Sequence, residues 1–179
     1  MKFTLTIPDG LPAMTVKELL EEHFLIPRKI RHFLRIKKHV FVNQKPIHFL
    51  RTKKHVSVNG LAINWQTVVK PGDDICLIFD EEDYPQKTIL FGNGELVEEL
   101  YQDQHLIIVN KPEGMKTHAN EPTELALLNH VSAYVGETCY VVHRLDKETS
   151  GAILFAKNPF VLPILNRLLE KREISREYW

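Results

Sequence analysis

Two apolar segments, Cys139-Tyr140-Val141-Val142 and Ala152-Ile153-Leu154-Phe155-Ala156, carry the β-branched and aromatic residues that favour strands. Between them runs His143-Arg144-Leu145-Asp146-Lys147-Glu148-Thr149-Ser150-Gly151, polar at nearly every position. Two buried strands joined by a short connection force the chain into a sheet with that connection at its rim. A carboxylate placed there, as Asp146 is, is held rigidly and can still face a cleft. The nearby guanidinium of Arg144 favours its ionised form, and a fixed, ionised carboxylate suits nucleophilic chemistry. A charged loop that only caps a sheet uses the same residue types, because structural ion pairs are common.

The length of the pattern separates the two readings. His-Arg-Leu-Asp-x-x-Thr-Ser-Gly, followed by an apolar strand and Ala-Lys-Asn, resembles the signature of the RluA-type pseudouridine synthases. The resemblance implies that Asp146 is the catalytic nucleophile of an isomerase that turns uridine into pseudouridine in RNA. Upstream, the strand Leu106-Ile107-Ile108-Val109 leads into Asn110-Lys111-Pro112-Glu113-Gly114, with His118 beyond it, similar to a block that frames the active-site cleft in that family. Taken alone, Asn-Lys-Pro is a strand-ending turn, since proline cannot donate to a ladder; the block is supporting context, more structural than chemical. At the end of the chain, Arg176-Glu177-Tyr178 resembles the family's basic-x-Tyr strand, which implies that Tyr178 contacts the target base. Arg144 is expected to fill the space of the extruded base or to hold a phosphate, and His143 to shape the loop. The isomerisation involves no redox step and no external group, so no cofactor is expected.

The N-terminal half has a different character. From His23 to Gly72 there is no Asp or Glu, while Asp73, Asp74, Asp80, Glu81, Glu82 and Asp83 follow closely, so a formal net charge of zero conceals a basic half and an acidic stretch. That asymmetry points to nucleic acid. Lys2 to Ile7 alternates as a strand, and Thr15-Val16-Lys17-Glu18 is a capping-box pattern opening a helix that runs to about Leu25. Pro27 fits the first turn of a second helix, Arg28 to Lys38, whose apolar Ile30, Phe33 and Leu34 share a face. His39 to Asn43 reads as a strand. The stretch Phe33 to Asn43 is then nearly repeated sixteen residues later by Phe49 to Asn59, a local duplication whose packed copy is not decided by its own residues. Asn59-Gly60 is a hairpin signal leading to a strand at Ala62-Ile63, and Pro71-Gly72-Asp73-Asp74 a turn before the strand Ile75 to Phe79. This order of helices, basic pair and hairpin resembles an S4 RNA-binding domain. The resemblance makes Arg28, Arg31, Arg35, Lys37, Lys38, Arg51, Lys53 and Lys54 RNA contacts, touching phosphates and shape more than base identity.

The expected fold is therefore α+β: an S4-like α/β module over 1–80, a linker over 81–95, and over 96–179 part of a pseudouridine synthase catalytic domain with a mixed or antiparallel sheet. Glu124 to Val135 and Pro159 to Lys171 are expected helices, the second starting late because Pro163 is tolerated only near a first turn. Two distant cysteines, Cys76 and Cys139, exclude a disulfide framework, and no histidine spacing suggests a metal. No apolar run is long enough to span a bilayer, so a cytoplasmic protein is expected, and the resemblance implies RNA, ribosomal RNA in particular, as its partner. The family carries a further Gly-Arg-Thr-His-Gln-Ile-Arg-like block absent before Trp179, which leads to the expectation of a truncated catalytic domain. An inactive RNA-binding protein that retains the S4-like module is the alternative.

Overall fold

The computed structural model describes residues 1–46, 65–84 and 87–179. The chain divides into two compact units, Met1–Pro85 and Gln86–Trp179. The second copy of the duplication, with Arg51, Lys53, Lys54, the Asn59-Gly60 hairpin and the Ala62-Ile63 strand, lies outside the described residues.

In the first unit, strands β1 (Lys2–Thr6), β3 (Val40–Val42), β4 (Lys45–Pro46) and β6 (Asp74–Ile78) form an antiparallel sheet in the order β1-β6-β3-β4, while β2 (Met14–Thr15) pairs with β5 (Val68–Val69). Helix α1 (Val16–Glu18) opens with the capping box: Glu18 N donates to Thr15 Oγ1, and Thr15 N donates to the Glu18 carboxylate at 2.8 Å. It continues as a wider π-helical turn to His23. Helix α2 (Arg28–Lys37) has Pro27 just before its first turn and ends at Lys38 in the left-handed conformation. Ile30 and Leu34 of α2 are buried with Val40, Val42, Ile75 and Leu77 of the sheet. Each such side chain contributes roughly 1.5–3 kcal/mol on burial. The first copy of the duplicated stretch is therefore a packed copy. Its turn, Asn43-Gln44, has positive φ at both residues, as a two-residue hairpin between right-twisted strands requires.

In the second unit, β7 (Glu98–Gln102), β8 (Leu106–Lys111), β9 (Tyr140–Val141) and β10 (Gly151–Ala156) form an antiparallel sheet in the order β7-β8-β10-β9. Ile107 and Val109 of β8 and Ile153 and Phe155 of β10 pack with Leu127 and Val131 of helix α3 (Leu127–Val135) around a core that includes Cys139 and Leu145. Helix α4 (Leu162–Glu170) follows β10, with Asn158 Oδ1 accepting from Val161 N at 3.0 Å just ahead of it. The stretch expected to be a linker is shared between the units. Asp80–Tyr84 stays with the first, where Tyr84 packs edge-on against Phe79. Residues 87–97 lie along α3 in the second.

Two expected elements change. Helix α3 begins at Leu127 rather than Glu124, because the Glu124 carboxylate is held by Lys116 Nζ and Asn120 N. Arg176-Glu177-Tyr178 is not a strand: residues 175–179 pair with no strand among the described residues, and a strand exists only through its ladder partner.

Candidate active site

The connection between β9 and β10 is held by its backbone. Leu145 is buried in the core, and one hydroxyl grips its peptide groups: Thr117 Oγ1 donates to Leu145 O at 2.9 Å and accepts from Leu145 N at 3.2 Å. Gly114 N donates to Lys147 O at 2.8 Å, and Thr149 N closes a tight turn onto Asp146 O at 3.0 Å. Beneath this turn lies Lys111, fully buried. Its Nζ donates to the carbonyls of Pro112 at 3.0 Å, Lys147 at 3.1 Å and Thr149 at 2.7 Å. Those three bonds use every donor of the ammonium. Burial pushes Lys111 below the ordinary lysine range, while the charges of Glu148, Asp146 and Glu113 act in the opposite direction. The Asp146 side chain itself is exposed. The loop is thus fixed in its backbone and open at its carboxylate.

Sequence reasoning missed Lys111, Gly114 and Thr117 as the residues that position Asp146. The signal was the period of two in β8, which buries Ile107, Val109 and Lys111 on one face. A lysine at a core position of a strand needs buried acceptors, and the loop carbonyls are those acceptors.

His143 is half-buried, and its Nε2 accepts from Leu154 N at 3.1 Å, just beyond the point where β9 stops pairing with β10. An acceptor Nε2 requires the neutral ring with its proton on Nδ1. Burial, with help from the Arg176 charge, pushes the His143 pKa down in keeping with that state.

The residues expected to surround Asp146 are not gathered at it. Arg144 is exposed and turns to His118, with Nη1 3.5 Å from Nε2. No ion pair joins it to Asp146 among the described residues, so the expected support from the guanidinium is not formed. Arg144 lines a cavity of about 880 Å³. Tyr178, 63% exposed, lines another of about 500 Å³ with His143, Gly151, Leu154 and Leu168. Asp146 lines neither.

In the first unit, Arg28, Arg31 and Arg35 project from one side of α2 into a concavity of about 470 Å³ that Lys17, His32 and Trp65 complete. Part of this charge is engaged within the chain. Arg31 pairs with Glu21. Lys37 pairs with Asp80 and, at 2.9 Å, with Glu82, and these bonds hold its pKa above the usual lysine range. Asp80 and Glu82 thus fold back onto α2. Lys38, at the helix end, is exposed, as is Arg28.

Among the described residues, no group of three or more His, Cys, Asp or Glu side chains is placed to hold a metal, and no helix is long and apolar enough to cross a membrane. Cys139 is buried, which pushes its thiol pKa up to about 11 and away from nucleophilic use.

Comparison with known proteins gives two family matches. The RluD ribosomal pseudouridine synthase N-terminal domain matches residues 3–49 and again 44–75, two stretches that overlap within the duplicated region. The RNA pseudouridylate synthase family matches residues 105–179. The uncharacterized RNA pseudouridine synthase YhcT of Bacillus subtilis is 41% identical over 117 residues, covering 62% of this chain and 38% of that protein. A tRNA pseudouridine synthase C of Yersinia pestis is 34% identical over 86 residues, covering 46% of this chain and 34% of its own length. A ribosomal large subunit pseudouridine synthase C of Buchnera aphidicola is 32% identical over 81 residues, covering 44% of this chain and 26% of its own. The chain therefore spans well under half the length of these relatives.

Proposed function

The chain belongs to the RluA-type RNA pseudouridine synthases, and from that premise we propose that it isomerises uridine to pseudouridine in ribosomal RNA, in the cytoplasm, with Asp146 as the catalytic carboxylate. The observation that carries the reading is the contrast at the β9–β10 connection. The backbone around Asp146 is fixed by Lys111, Gly114 and Thr117, and the carboxylate is left exposed. Such a group can approach a ribose without first being freed from an internal partner, and without a positional search.

In the reaction the bond from ribose C1′ to uracil N1 breaks and a bond from C1′ to C5 forms. The C5 proton leaves to solvent, and N1 ends protonated. Asp146 acts at the sugar, as nucleophile or base, while the uracil turns within the site. Extruding the uridine costs a few kcal/mol, least in a loop. Arg144 holds a phosphate or fills the vacated space in the stack, and Tyr178 stacks on the uracil. The first unit, read as S4-like, holds RNA through Arg28, Arg31, Arg35, Lys37 and Lys38, and Arg31 and Lys37 reach it once Glu21, Asp80 and Glu82 release them. It supplies affinity without choosing the uridine.

The test is to incubate the chain with unmodified ribosomal RNA and with transfer RNA, derivatise pseudouridine with a carbodiimide, and locate the adducts by primer-extension stops. New stops in ribosomal RNA alone are expected. Stops confined to transfer RNA refute the substrate assignment. Their absence from both, with RNA bound, leaves an RNA-binding protein without the isomerase activity.

A further inference from the structure

We propose that the cavity on the Arg144 side of the loop is a subsite for the nucleotide beside the reacting uridine, with its base inside and its phosphate on Arg144. The inference rests on the preceding reading that the chain acts on RNA. It starts from the walls. On one side residues 87–93 run as a strap along α3. Asn129 Nδ2 donates to Leu90 O at 2.8 Å, Gly92 N donates to Asn129 O at 2.9 Å, and Asn93 N donates to His130 Nδ1 at 2.9 Å. A Cβ at position 92 would lie 2.3 Å from His130 Nδ1, so only glycine lets the strap sit this close. On the other side the loop around Asn120 is tied down by Glu124, which accepts from Lys116 Nζ at 2.6 Å and from Asn120 N at 2.9 Å. Both walls are therefore formed before any ligand arrives.

Between the walls the surface is apolar, with Leu90, Leu128 and Val141 facing the cavity, and its lip is cationic, with Arg144 beside His118. Leu90 remains 50% exposed although its backbone is pinned, so apolar surface is held out toward water. The volume of about 880 Å³ lies within the range of small-molecule sites. Glu124 is matched by Lys116, which leaves Lys87 and Arg144 facing Glu121 and a positive balance at the lip. Rigid apolar walls with a guanidinium at the mouth suit a flat heterocycle carrying a phosphate. Only Leu145 separates Arg144 from Asp146, and it is anchored in the core. The two side chains therefore serve neighbouring positions on one bound strand.

The experiment is an amide-resolved NMR titration of the full chain with adenosine 5′-monophosphate, uridine 5′-monophosphate and inorganic phosphate in separate arms. Leu90→Trp, which fills the cavity from an exposed position, and Arg144→Gln are measured beside the parent. Both nucleotides are expected to shift the amides of Leu90, His118 and Leu128, and phosphate alone to bind at least tenfold more weakly. Each variant is expected to keep a folded spectrum and weaken nucleotide binding at least fivefold. Equal binding of inorganic phosphate, unshifted amides at those positions, or unchanged affinity in both variants would overturn the proposal. If that happens while the parent still isomerises RNA, the subsite alone falls; if the parent neither binds nor modifies RNA, the functional reading falls with it.

Discussion

Replacing Lys111 with methionine preserves the length of the side chain and removes its ammonium. Three carbonyls then lose a donor. That of Lys147 retains Gly114 N, while those of Pro112 and Thr149 lose the partner they have in Lys111. Both carbonyls are only part-buried, so water replaces part of what is lost and the cost stays within that of one unpaired buried acceptor, about 1–3 kcal/mol. Relief from burying an ammonium offsets much of this, so the net change in global stability is small. The local effect is the sharper signature, because the turn that presents Asp146 hangs from those carbonyls. Amide hydrogen exchange at Thr149 and Gly114 is expected to accelerate well beyond what the global destabilisation, measured by urea unfolding, accounts for. Isomerase activity falls with it. Unchanged exchange at both amides in Lys111→Met would refute the view that Lys111 positions the loop.

Other perturbations follow from the same contacts. Gly92→Ala forces its Cβ against His130 Nδ1, a group already engaged by Asn93 N, and is expected to destabilise the second unit by about 1–3 kcal/mol in urea unfolding; a neutral result would mean the strap is not packed as described. His130 and His143 both have pKa values lowered by burial from an ordinary 6.5, so in the window just below 6.5 the unfolded chain binds more protons than the folded one. Stability therefore rises with pH through that window, by up to about 1.4 kcal/mol per pH unit for each histidine, and the slope vanishes above it. His143→Gln should flatten the profile of urea midpoints, and an identical profile would contradict the buried neutral ring. In RNA gel shifts over a range of salt, Arg28→Ala should lower the slope of log K against log salt by about 0.7–0.9, and Lys37→Ala by less, because its ammonium is already paired with Asp80 and Glu82. Equal losses would show that those pairs open on binding.

Much of the fold is legible because local rules and packing agree. The Thr15–Glu18 capping box, the apolar face of α2 and the alternation of β1 and β8 each have one consistent reading. The start of α3 was less legible, because Leu125, Leu128 and Val131 keep helical spacing while Glu124 has been claimed by Lys116 and Asn120. The packing of the first copy was not legible either: both copies carry Phe-Leu-Arg-x-Lys-Lys-His-Val-x-Val-Asn, and for the first it is the pairing of Val40–Val42 with β6 that shows it packed. At the site, Asp146 stood out by motif, whereas its supports did not. Lys111 looked like part of a turn, and the Arg144 guanidinium looked like the partner of Asp146. Nearness in sequence suggested that pairing. The direction of the side chain, toward His118, undid it.

The most direct test of the account is release of tritium from ribosomal RNA labelled at uracil C5, compared between the parent chain and Asp146→Ala. The exposed Asp146 side chain makes the substitution compatible with a folded loop, which unchanged amide exchange at Thr149 verifies. The account predicts release by the parent and none above background by Asp146→Ala. Release by both at similar rates would contradict the assignment of Asp146, and with it the reading of the fixed loop as the catalytic centre.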